Sequence, residues 1–210
     1  TGCDVFTEYE YDEIGRLTHV DYNQTGDLKE EFYIYDGATH FHPDAYKVSL
    51  SGGQYGKGRL TAVAVRESAG AYPSFAVTEY DYNERGMVEG KHYQGAFREG
   101  QNNYSGLTYY YYYDYDKNGS LQQVTYHSGR RVYYCLDGTD PTRARKVLTD
   151  DDTDFTSCTG GVELVKAATY YPFGDLASIT LGNNQIQTFT RDKRYALTTL
   201  QEGYAGNLDF

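Results

Sequence analysis

Tyr9-Glu10-Tyr11-Asp12-Glu13-Ile14-Gly15-Arg16-Leu17-Thr18-His19-Val20 decides the fold, because it recurs. Tyr80-Asp81-Tyr82-Asn83-Glu84-Arg85-Gly86-Met87-Val88 repeats it, and so does Tyr113-Asp114-Tyr115-Asp116-Lys117-Asn118-Gly119-Ser120-Leu121-Gln122-Gln123-Val124. Tyr33-Ile34-Tyr35-Asp36 opens another copy, whose second half, Gly58-Arg59-Leu60-Thr61-Ala62-Val63, follows an insertion at about 37–57. Self-similarity of this kind sets an architecture before any single residue does. Each copy reads as a β-hairpin. Tyr-x-Tyr puts two rings on one face of a strand, since side chains alternate with period two. Asp12, Asn83 and Asp116 then begin a four-residue turn, where a short polar side chain bonds the backbone two residues on. Gly15, Gly86 and Gly119 close it in the left-handed region, which only Gly enters cheaply. A type I turn closed by such a Gly is a common hairpin connection with a bulge. The return strand runs from Leu17 to Val20 or from Leu121 to Val124, and a further turn signal follows it, Gln24-Thr25-Gly26 or Ser128-Gly129.

The C-terminal third is a degenerate version. Tyr170-Tyr171-Pro172-Phe173-Gly174-Asp175-Leu176 keeps the aromatics, the turn, the Gly and the Leu. Ile179-Thr180-Leu181-Gly182-Asn183-Asn184-Gln185-Ile186 sets strand residues around a Gly-Asn turn, and Phe189 to Leu197 places Tyr195 where the turn Gly belongs. No window holds a helical period, so the fold class is all-β: a meander of antiparallel hairpins in an open, twisted sheet. It is read as a single segment over 1–210, interrupted by the 37–57 insertion and by an irregular acidic loop at about 137–161. Tyr109, Tyr111, Tyr113 and Tyr115 fall on one face, with Tyr110 and Tyr112 on the other. Tyr on both faces implies that neither face is fully dry, and that aromatic ladders replace a deep aliphatic core.

Composition agrees. The 210 residues include 25 Tyr and 23 Gly but only one Met and no Trp, which suits strands and turns over helices. A formal net charge of −11 argues against nucleic acid and anionic membrane surfaces, because neither meets a basic patch. No stretch is long and apolar enough for a helical membrane span. Of the three cysteines, Cys135 and Cys158 are the pair expected to bond, with Cys3 left over; three free thiols is the alternative.

The repeated motif resembles the signature of the YD-repeat, or Rhs, family. Tyr9, Tyr11, Asp12, Gly15, Arg16 and Leu17 carry the resemblance, with Tyr33, Tyr35, Asp36, Gly58, Arg59, Leu60, Tyr80, Tyr82, Asn83, Gly86, Tyr113, Tyr115, Asp116, Gly119 and Leu121. The resemblance implies hairpins joined into a spiralling sheet that walls a hollow shell, as in bacterial polymorphic toxins and teneurins. It implies a secreted or bacterial cell-surface protein that encapsulates, carries or presents a toxin domain. The implied partners are further repeats of a parent chain, an enclosed toxin domain, and in some members glycans. The family's shell-ending Asp-Pro-x-Gly-Leu is absent, since Asp140-Pro141 runs on into Thr142-Arg143. The chain therefore reads as a segment of a longer one, with a short orphan as the alternative. An open sheet of this kind should pair edge to edge as a dimer or shield its edges with the 37–57 insertion.

Other candidate sites are sparse. His40, His42 and Asp44 fall on one side of an extended strand, a spacing that suits a metal. Asp150, Asp151, Asp152 and Asp154 offer oxygen ligands for Ca²⁺ but lack the Gly and distant Glu of an EF-hand. A solvated loop is the competing reading of both. No nucleophile elbow, zinc-protease motif or phosphate loop occurs, so no cofactor or enzyme activity is expected. Tyr109, Tyr110, Tyr111 and Tyr112, with Tyr33, Tyr35 and Tyr80, form the platform on which a sugar ring or protein partner would stack, the alternative to a purely structural role.

Overall fold

The computed structural model describes residues 6–24, 27–41, 48–51, 53–66, 75–99, 102–140, 142–150, 158–204 and 207–209. His42, Asp44, Asp151, Asp152, Asp154 and Cys3 lie outside the described residues. Seventeen strands and no helix are described. The first part holds β1 (Phe6–Tyr11), β2 (Leu17–Gln24), β3 (Asp27–Tyr35), β4 (His40–Phe41), β5 (Val48–Ser49), β6 (Leu60–Arg66), β7 (Phe75–Tyr82) and β8 (Val88–Glu99). β9 (Asn102–Tyr115) leads to β10 (Leu121–Tyr126), β11 (Arg131–Leu136), β12 (Ala144–Asp150), β13 (Val162–Tyr170), β14 (Leu176–Leu181), β15 (Gln185–Arg191), β16 (Leu197–Tyr204) and β17 (Asn207–Asp209). Each strand but β4 and β5 pairs with its neighbour in sequence, giving an open 15-stranded antiparallel meander with β1 and β17 at its ends. The chain divides into two compact units, Thr1–Tyr112 and Tyr113–Phe210, the boundary falling within β9.

In the first unit β3 pairs with β6 across residues 36–59, Ile34 opposite Ala62 and Tyr35 opposite Leu60. The strand register assigns side chains to two faces. Glu10, His19, Phe32, Ala64, Val77 and Gln94 follow one another across the first face. Tyr33, Val63, Thr78, Tyr93 and Tyr109 follow one another across the second.

The first face is drier than the tyrosine pattern implies. Ile34, Ala62, Ala64, Phe75 and Val77 form a buried cluster, with Phe32, Ala38 and Leu50 packed against it. Ala38 and Leu50 come from the insertion, whose β4 and β5 form a small sheet of their own. The described part of the insertion therefore covers the face of β3, β6 and β7 and shields neither β1 nor β17. The small side chains of Ala62 and Ala64 leave room for it, and burying its apolar residues there outweighs covering an edge. Glu79, only 5% exposed, sits beside this cluster. Its carboxylate accepts the amide and hydroxyl of Ser51 at 2.5 Å and the Gln94 amide at 2.9 Å, so its burial is compensated. Arg66 and Glu30 pair nearby, both largely buried.

In the second unit residues 144–150, read above as part of an irregular segment, form β12 between β11 and β13. Leu148, Thr149 and Cys135 are buried there, which explains why a basic stretch becomes a strand: alternation hides Leu148 while Arg145 stays exposed. Cys135 and Cys158 are disulfide-bonded, with Cα atoms 5.7 Å apart, and Tyr133 packs against the buried Cys135 and Leu148.

Candidate functional site

The feature that recurs is the junction between one hairpin and the next. It starts with the turn. Asp12 Oδ1 accepts the amides of Ile14 and Arg16 at 3.1 and 2.9 Å. Asn83 does the same for Arg85 and Met87, Asp116 for Asn118 and Ser120, and Asp192 for Arg194 and Ala196. The amide of Gly15 donates to Asp12 O at 3.0 Å with φ at +82°. Gly86 and Gly119 adopt the same left-handed conformation, and Tyr195 takes it with φ at +66°. At the Leu181–Gln185 turn Asn184 has the positive φ instead of Gly182. Gly182 is needed there for space: a Cβ on it would meet Glu163 O at 2.0 Å.

The turn then locks onto the following hairpin. Tyr35 donates its hydroxyl to Leu17 O at 2.9 Å, and the Arg16 guanidinium lies 4.3 Å from the Tyr35 ring centre. Arg16 donates through Nε to Asp12 Oδ2 at 2.6 Å and through Nη2 to Asp36 Oδ2 at 2.8 Å. Asp36 Oδ1 takes the Gly58 amide at 2.6 Å. The next junction repeats this: Tyr82 donates to Leu60 O at 2.6 Å and Arg59 lies 5.4 Å from its ring. In the second unit Tyr170 donates to Ala144 O at 2.7 Å, with Arg143 at 5.6 Å from its ring. One junction further the charges are exchanged, and Asp175 pairs with Arg191 at 3.2 Å. We call the Tyr–Arg–carbonyl arrangement a latch.

The latch has electrostatic signatures. The Arg16 amide, with its guanidinium and the Ile14 amide, holds the Asp12 carboxyl below the usual carboxylate range. Arg16, followed by the Gly58 amide, lowers Asp36 likewise. The two carboxylates push the Arg16 guanidinium further up. Tyr33 is pushed up to about 12, first by its hydrogen bond to Glu31 and then by burial.

The predicted tyrosine platform is divided between the faces. Tyr111 stands edge-on to Tyr93 at 5.7 Å, while Tyr110 and Tyr112 stand edge-on to His92 at 4.9 and 6.0 Å. Lys91 lies over both Tyr80 and Tyr93. Tyr109 and Tyr112 keep 43% and 48% exposure, on opposite faces. His40 is in β4, its ring nitrogen 3.2 Å from Thr39 Oγ1. Asp150 ends β12 opposite Arg131. Among the described residues no three His, Cys, Asp or Glu side chains converge as metal ligands. Sequence reasoning singled out Arg16, Arg59 and their tyrosines but missed their pairing across hairpins; it gave no role to Glu79 or Arg143. The one readable signal is the Arg that opens the return strand at three of the junctions, Arg16, Arg59 and Arg143.

An open antiparallel meander whose hairpins are latched in series defines the class of the molecule. No protein-family model and no curated protein matches the chain. Among solved structures it is similar to TcdB2-TccC3, with 14% identity and a TM-score of 0.54 over 93% of this chain and 10% of that one. The TcdB2-TccC3-Cdc42 structure matches at 14% identity and 0.53 over the same shares. So does the Photorhabdus luminescens Tc holotoxin pore bearing a TccC3 mutation. At this identity the likeness is one of fold. The chain spans about a tenth of the length of the chains it matches.

Proposed function

We propose that the chain is a non-enzymatic wall segment of a YD-repeat shell, in which a larger secreted or surface bacterial protein encapsulates or presents an effector domain. The observation that carries this reading is the serial latch. Tyr35, Tyr82 and Tyr170 each tie one hairpin to the return strand of the one before, using a hydroxyl–carbonyl bond and a cation over a ring. Such a joint stiffens a sheet across many hairpins without a thick core, which is what a wall requires. The likeness of fold to TcdB2-TccC3 over most of this chain supports the same reading. The test is protease protection in the intact parent protein. An effector domain cut slowly in the intact protein, and quickly once the wall is opened by Tyr35→Ala with Tyr82→Ala, is the expected result. An effector domain cut equally fast in both overturns the reading.

A second reading, a glycan- or protein-binding module, is favoured by the exposure of Tyr109 on the face that also bears Tyr33, Tyr80, Tyr93 and Tyr111. Tyr fluorescence that responds to one glycan class, and loses the response in Tyr109→Ala, would support it.

A further inference from the structure

The two bonded cysteines stand in opposite surroundings. Cys135 lies within β11, opposite Lys146 of β12, and is 1% exposed. Cys158 is half-buried and lies outside any strand, just before β13. Its backbone is left-handed, with φ at +54°, a conformation that is unfavourable for a residue with a Cβ. Gly160 and Gly161 follow, left-handed at +89° and +70° and both exposed. The connection into β13 therefore turns on two residues that have no side chain to anchor it. Cys158 also serves as cover. With Tyr133, it is a partly buried residue packed on the buried Cys135 and Leu148. The disulfide ties that cover down.

We infer that the Cys135–Cys158 bond is a redox switch, which a small monothiol of the glutathione class opens in the folded protein by attacking Cys158. The reductant's thiolate forms a mixed disulfide with Cys158 Sγ. The electron pair of the broken S–S bond leaves on Cys135 Sγ, which then takes a proton. Lys146 lies directly opposite Cys135 in the ladder, and a cation there favours departure as thiolate. A second thiolate attacks the reductant's sulfur in the mixed disulfide and releases Cys158, which is protonated in turn. Two reductant thiols thus become one disulfide, and the protein's disulfide gains two electrons and two protons. Freed, Cys158 abandons its left-handed backbone and swings on Gly160 and Gly161. Leu148 loses that cover, and β12, which pairs with both β11 and β13, loosens around it. The inference goes beyond the wall reading, and stands whether or not the chain encloses an effector.

The test uses the full 210-residue chain with Cys3→Ser, so that only the bonded pair reports. The protein is held in glutathione buffers stepped from oxidising to reducing, then acid-quenched, alkylated and mapped by mass spectrometry. Hydrogen exchange is followed on the same samples. The pair should be reduced without denaturant, with glutathione trapped on Cys158 in about tenfold excess over Cys135. The amides of β12 should exchange about a hundredfold faster in step with reduction, and return to oxidised glutathione should restore both bond and protection. A pair that stays oxidised until urea unfolds the chain overturns the inference. So does glutathione found equally on the two cysteines. Reduction that leaves β12 exchange unchanged, or that oxidised glutathione does not reverse, overturns it as well.

Discussion

Two glycines with nearly the same backbone do different work. Gly15 and Gly86 have φ of +82° and +81°. A Cβ on Gly15 would meet nothing within 4 Å, whereas one on Gly86 would meet the Arg59 guanidinium at 2.5 Å. Gly15→Ala should therefore cost only the left-handed strain, about 1–2 kcal/mol. Gly86→Ala should cost more, because it also displaces the Arg that covers Tyr82, and urea unfolding of the two variants would measure the gap. The latch hydroxyls can be tested in the same way. Tyr35→Phe removes one bond to a backbone carbonyl and should lower stability by about 1 kcal/mol. Tyr11→Phe, whose hydroxyl has no described partner, should leave it unchanged. Equal effects from the two would sink the idea that the hydroxyl, and not the ring, ties hairpins together.

At the scale of the element, the hairpin junction is sensitive to pH at both ends of the range. Asp12 and Asp36 are lowered in the fold, so they bind protons less readily there than in the unfolded chain. Their contribution is complete above roughly pH 4, where an unfolded Asp is ionised, and is lost as pH falls through their lower folded values. Tyr33 is raised to about 12, so the fold holds its proton more tightly, and its contribution is complete below roughly pH 10. That contribution is lost as pH rises towards 12. Phenolate absorbance should show a late-titrating group that Tyr33→Phe removes, and acid titration should release the Tyr35 ring before the strands of β6 and β7 part. These hairpins were legible because their rules are local: alternation, an Asx turn and a left-handed Gly all act within a dozen residues. The latches were not, because the Tyr-to-carbonyl separation is 18, 22 and 26 residues in the three cases, so no fixed spacing marks them. The dry cluster escaped for a similar reason. Ala38 and Leu50 reach Ala62 and Val77 only after the insertion folds back, and no period in the sequence announces a cap. Residues 144–150 were hidden by their charges, since of 144–149 only Leu148 and Thr149 are buried.

For the molecule as a whole, the two units hold themselves together by different means. The first has the aliphatic cluster under its insertion and the buried carboxylate of Glu79. The second has a smaller buried cluster, Cys135 with Leu148, and ties it with the Cys135–Cys158 disulfide. That bond closes a loop of 23 residues in sequence separation, and removing such a constraint from the unfolded chain costs about 3 kcal/mol. The loop contains β12, which pairs on both sides, so its loss should be felt along β11, β12 and β13 together. The first unit contains neither cysteine of the pair. Reduction, or Cys135→Ser with Cys158→Ser, should therefore accelerate amide exchange in β11 to β13 by about a hundredfold, the rate equivalent of that free energy. Exchange in β6 and β7 should stay as it was. Equal acceleration in both units would mean that the meander opens as one cooperative body and that the division within β9 has no energetic meaning.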